Sequence, residues 1–83
     1  MKINFSKESY PWLAEFILTE HGDNIEELKR QRGIGHDDRP GILKIFVDYF
    51  KTVKDIKVED VNSDAVFHID DKLAVIKILK YCD

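Results

Sequence analysis

The sequence predicts one α+β domain: about four helices with a β-hairpin, and an N-terminal strand that is a candidate third member of a small antiparallel sheet. Three observations carry this expectation. Apolar residues recur at helical spacing between Pro11 and Val53, short β-type runs follow Asp55, and helical spacing returns after Asp71. At 83 residues the chain has room for a single core, so one domain over 1–83 is expected. With 43% apolar and 35% charged residues, it can bury that core without metals or disulfides.

Taken in order, Ile3 and Phe5 alternate with Lys2 and Asn4, which suits a short strand. Pro11 suits the first turn of a helix, and Trp12, Leu13, Phe16 and Ile17 form an apolar stripe that ends near His21 and Gly22. A first helix over 11–21 is the result. Asn24 and Glu27 stand at capping-box spacing, so a second, short helix is expected to start there with Ile25 and Leu28 as its apolar edge. Lys29, Arg30 and Arg32 fall in its last turn, where positive charge complements the helix end, and Gly33 closes it in the left-handed conformation.

After a loop over 34–39, Asp38 is placed to cap a third helix from Pro40 to Val53. Its polar residues Lys44, Asp48, Lys51 and Thr52 fall on one face, which makes it the expected centre of the core, packed by Trp12, Phe16, Phe67, Ile76 and Leu79. The runs Ile56 to Glu59 and Ala65 to Ile69, separated by Asn62-Ser63-Asp64, read as a hairpin. On its second strand Ala65, Phe67 and Ile69 share one face, Val66 and His68 the other. Lys72, Lys77 and Lys80 cannot share a strand face but group within one helical arc, so a closing helix from Lys72 to Cys82, capped by Asp70 or Asp71, is expected.

The lone Cys82 excludes an intramolecular disulfide, and no stretch approaches the ~18 apolar residues of a membrane span. The N-terminus has no apolar core behind its positive charge. A cytoplasmic protein with no membrane partner is expected. Catalysis is not: Cys82, Ser6, Ser9 and Ser63 sit at termini or turns with no partner spacing. His36-Asp37 lacks the further ligands a metal needs, and Gly33-Ile34-Gly35 lacks the third glycine and the Lys-Ser/Thr of a phosphate loop. No serine lies between Ser9 and Ser63 to carry a prosthetic group at the start of the third helix. No enzyme activity, metal or other cofactor is therefore expected.

Charge is unevenly distributed along the chain. From Lys29 to Lys44 there are five basic residues against two acidic ones; from Asp55 to Asp71 there are six acidic residues against one lysine. The second segment steers a basic partner, with Asp55, Glu59, Asp60, Asp64, Asp70 and Asp71 as candidate contacts. The expected function is a small non-enzymatic interaction module, such as an immunity protein, antitoxin or phage-type inhibitor that covers a basic site on another protein through this acidic surface. The alternative is a nucleic-acid-binding regulator with winged-helix-like element order, using Lys29, Arg30, Arg32 and Arg39 on phosphates. Against it stand a loop too long for that motif, a largely apolar third helix and an acidic hairpin.

Overall fold

A computed structural model describes residues 1–8 and 10–81. The elements run β1 (Lys2–Asn4), α1 (Pro11–Arg32), α2 (Arg39–Phe50), β2 (Ile56–Val61), β3 (Asp64–Ile69) and α3 (Asp71–Tyr81). This is the α+β class the sequence predicts, with three helices where about four are expected.

The missing break lies inside α1. Gly22 and Asn24 do not end and restart the helix, although an interior glycine costs about 1 kcal/mol against alanine. The reason is that the buried stripe does not stop: Ile17, His21, Ile25 and Leu28 continue at spacings of four, four and three, so one uninterrupted helix keeps them on a single face. Asn24 has another use, donating its side-chain amide to the Tyr49 hydroxyl at 3.2 Å. Glu27 takes Arg30 and Gln31 one turn on. Gly33 ends α1 as expected, at φ 66°, with its N–H on the Arg30 carbonyl.

Asp38 caps α2 through its side chain, which accepts the Gly41 N–H at 3.0 Å. Gly41 leaves the carboxylate its space: a Cβ there would lie 2.6 Å from Asp38 Oδ2. Helix α2 covers the inner face of the sheet, where Phe46 and Phe50 meet Phe67 edge-on. Of its apolar residues only Ile45 and Phe50 are buried, so α2 shares the core with α1 and the sheet rather than standing at its centre.

Strand β3 is central in the order β1-β3-β2, antiparallel to both neighbours, with Ile3 opposite Phe67 on one side and Val58 opposite it on the other. The N-terminal strand thus completes the three-stranded sheet. Asn62 and Ser63 join β2 to β3 at φ 53° and 63°, the two positive angles of a tight I′ turn. Ala65, Phe67 and Ile69 face the helices, while Val66 on the opposite face is also buried, between Asn4 and Glu59.

Helix α3 departs most from expectation. Ile76 and Leu79, expected to pack on α2, are 57% and 77% exposed; Ala74 is the buried residue, with Leu73, Ile78 and Tyr81 packed beside it. On the same side, Glu20 on α1 accepts from Lys77 at 2.9 Å and from Tyr81, and the Lys77 side chain is only 14% exposed. The Lys77 ammonium also sits 5.0 Å over the Phe16 ring. A lysine assigned to the solvent arc is therefore the one that faces α1. Among the described residues no helix is long and apolar enough to cross a membrane.

Candidate interaction surface

The six carboxylates proposed from sequence do not form one patch. The hairpin separates them, because β2 and β3 put Asp60 and Asp64 at one end of the sheet and Asp55, Asp70 and Asp71 at the other, with Glu59 on the open face between. At the turn end, Asp60 accepts the Ser63 N–H at 3.1 Å and Asp64 accepts the Ser6 N–H at 3.1 Å. Hydrogen bonding from Ser6 holds the Asp64 carboxyl below its ordinary range against partial burial, and its Oδ2 is buried with no hydrogen bond among the described residues. Glu59 is held below its ordinary value by Lys57 first and His68 second, both 3.2 Å away on the open face of the sheet.

At the other end, Asp70 caps α3 by accepting the Leu73 N–H, and its own N–H reaches the Asp55 carbonyl at 3.0 Å. Asp55 holds φ 69° to turn the chain into β2. Asp71 pairs with the Met1 ammonium at 2.9 Å, which holds its carboxyl below the usual carboxylate range. All three carboxylates are exposed.

From this end runs the outer face of α3. Lys72, Val75, Ile76 and Leu79 recur at helical spacing and stand clear of α1, with Val75 56%, Ile76 57% and Leu79 77% exposed. Sequence reasoning placed Ile76 and Leu79 in the core and so missed this face. No sequence signal marks this face, because Glu20, the partner that draws Lys77 toward α1, lies 57 residues away along the chain.

The basic residues of the alternative reading are mostly occupied. Lys29 is only 8% exposed, its ammonium 3.2 Å from Glu26 and 3.1 Å from His36 Nδ1. Arg30 pairs with Glu27, and Arg32 with Asp48 at 3.0 Å. Arg39 has no ion pair among the described residues. His36 serves Lys29, and no group of three or more His, Cys, Asp or Glu among the described residues could hold a metal. Ser9 and Cys82, weighed as nucleophiles, lie outside the described residues.

A groove of about 420 Å3 lies between α1 and α2. Ile17, Ile25, Ile42 and Phe46 form its apolar lining and Leu18, 69% exposed, stands at its lip. Asp23, Glu26 and Lys29 supply its polar groups.

Comparison with protein-family models, with curated proteins and with solved structures returns no match.

Proposed function

We propose that the protein is a small non-enzymatic interaction module whose docking surface is the outer face of α3 together with Asp55, Asp70 and Asp71 at its start. The observation that carries this reading is the exposed row of Val75, Ile76 and Leu79, three apolar side chains side by side on one helix face. Asp71 lies one turn before Val75 on the same side of the helix, so carboxylates flank the apolar row.

Magnitudes set the extent of the interface. Complete burial of an aliphatic side chain is worth about 1.5–3 kcal/mol, and these three are already partly covered. Association costs about 4–15 kcal/mol, so three aliphatic anchors alone give a weak complex. Binding must extend to the flanks, where carboxylates orient a partner of basic surface and raise its rate of encounter.

Capture of partners from lysate by the tagged chain tests the reading. A protein retained by the wild type, lost with Leu79→Glu and weakened by Asp55→Lys supports it. Retention unchanged by both substitutions overturns it, and loss with Glu59→Lys and Asp60→Lys instead moves the interface to the hairpin.

A further inference from the structure

We propose that β2 pairs antiparallel with β2 of a second copy of this chain, centred on Val58, to give a closed dimer with one continuous sheet. This goes beyond the α3 docking surface and does not depend on it. The directions of the backbone groups locate the free edge. Ala65 and Ile69 of β3 bond toward β1, through the Phe5 N–H to the Ala65 carbonyl at 2.9 Å and the Ile69 N–H to the Met1 carbonyl at 2.8 Å. Residues alternating with them bond toward β2, as the Asp70 N–H does to the Asp55 carbonyl at 3.0 Å. By the same alternation Lys57, Glu59 and Val61 bond into β3, while Ile56, Val58 and Asp60 point their N–H and C=O groups away from the sheet.

The two edges of the sheet differ. On β1 the outward residue Asn4 is served by its own chain: its N–H donates to Glu8 Oε2 at 2.9 Å, and its carbonyl accepts from the Lys7 and Glu8 N–H groups. Along β2, among the described residues, no hydrogen bond from outside the sheet reaches the backbone of Ile56, Val58 or Asp60. This edge runs from Ile56 to Val61 with no bulge in its register. A straight edge with free backbone groups is a template for a further strand.

Charge selects the strand and its register. Two β2 strands related by a two-fold axis keep their outward groups bonded whichever residue lies on the axis, and toward either end of the strand the overlap is short. With Lys57 on the axis two lysines stand opposite each other, and with Glu59 two glutamates. With Val58 on the axis, Lys57 stands opposite the partner's Glu59, and Glu59 opposite the partner's Lys57. These side chains lie on the open face, where Lys57 and Glu59 of one chain are already 3.2 Å apart and His68 makes a second contact with Glu59. The four charges then alternate in sign: unlike charges stand opposite, with Cβ atoms about 4.5–5.5 Å apart, and like charges take the diagonals at about 7–8 Å. In this register Asp60 falls opposite Ile56 and Asp55 opposite Val61, so no two carboxylates stand opposite each other. A foreign strand would need both charges at this spacing, and a second copy supplies them.

Sedimentation equilibrium with the full chain, at concentrations up to about 1 mM, tests this. The wild type is expected to approach twice the monomer mass and go no further, because a two-fold contact uses up the open edge of both chains. Lys57→Glu and Glu59→Lys, checked for folding by circular dichroism, should each stay monomeric. Mixed in equal amounts they should form a two-chain species, since one strand then carries two glutamates and the other two lysines. In the wild type, exchange of the Val58 and Asp60 amides should slow as the concentration rises, while exchange at Lys57 and Glu59, bonded within the sheet, changes less. A wild type that stays monomeric overturns the inference and leaves the edge to solvent or to a strand of another protein. Association that ignores both charge substitutions, a mixture that stays monomeric, or a dimer whose Val58 and Asp60 amides gain no protection overturns it as well. Loss of a captured partner on Leu79→Glu reads the α3 surface separately, so failure of one proposal is distinguishable from failure of the other.

Discussion

The Asn24 amide donates to the Tyr49 hydroxyl, and that hydroxyl lies 2.7 Å from His21 Nδ1, one turn back along α1. With its oxygen accepting from Asn24, the tyrosine is free to donate its proton to a neutral His21. The chain of bonds ties the middle of α1 to the end of α2. His21 also packs edge-on against Phe16, Tyr49 and Phe50, so its imidazole acts as a core ring with one polar contact.

A pH dependence follows from this arrangement. Burial holds the His21 imidazole below its ordinary value, opposed by Glu20 and aided by Lys77. An unfolded histidine titrates near about 6.5, so below that pH the unfolded state binds a proton that the native imidazole resists. The stability linked to His21 is full above this value and is lost as the pH falls toward the depressed native one. Urea midpoints of the wild type are expected to fall from pH about 7 to about 5, and to fall less for His21→Gln. Equal slopes for the two proteins would remove His21 as the cause.

Phe67 is fully buried and meets Phe5, Phe46 and Phe50. Phe67→Ala should cost about 3–5 kcal/mol. At about 0.05–0.15 kcal/mol per residue a chain of this size has only several kcal/mol in total. The variant is expected to be largely unfolded by circular dichroism at 25 °C or to melt far below the wild type.

Ser63 occupies a left-handed conformation that costs an ordinary L-residue about 1–2 kcal/mol and glycine far less. Ser63→Gly converts the turn to Asn-Gly, the preferred pair for two positive φ angles. Its thermal midpoint should rise by several degrees, at about 4–8 °C per kcal/mol for a domain of this size. A fall would show that the turn relies on the serine side chain.

Glu20 accepts from Lys77, Tyr81 and, at 3.7 Å, pairs with Lys80. Burial pushes its carboxyl up, but these three partners outweigh that and hold it below its ordinary value, while Glu20 in turn raises the Tyr81 phenol. Glu20→Gln keeps the size and loses the charge. A loss of about 1 kcal/mol is expected in urea titration, together with faster amide exchange in α3 than in the sheet. Uniform exchange across all elements would show that Glu20 does not fix α3 in particular.

Most local structure was legible because it rests on nearest neighbours in sequence. Pro11, Gly33 and Asp38 mark helix ends by their own backbone requirements, and the Asn62-Ser63 turn between alternating runs marks the hairpin. What stayed hidden depends on partners far along the chain. Asn24 looks like a cap until Tyr49 engages it, and Lys77 looks solvated until Glu20 does. In the sequence His21 stands at the end of an apolar stripe, whereas in the fold it is half-buried between Ile17 and Ile25 on the same helix face, its ring against Phe50. The acidic segment was legible as composition only. Pairing in the hairpin carries its two halves to opposite ends of the sheet, a consequence of register rather than of charge.

Pairing of β1 with β3 has a consequence for how the chain reaches this state. Lys2 lies opposite His68, so the sheet closes only when segments more than sixty residues apart meet. Such distant contacts carry a loop-closure cost that slows folding relative to local ones. On a ribosome β1 emerges before β3 and waits, its edge and Ile3 without their partner, until β3 has left the exit tunnel. The β2–β3 hairpin, closed by its own two-residue turn, is then the template to which β1 can add.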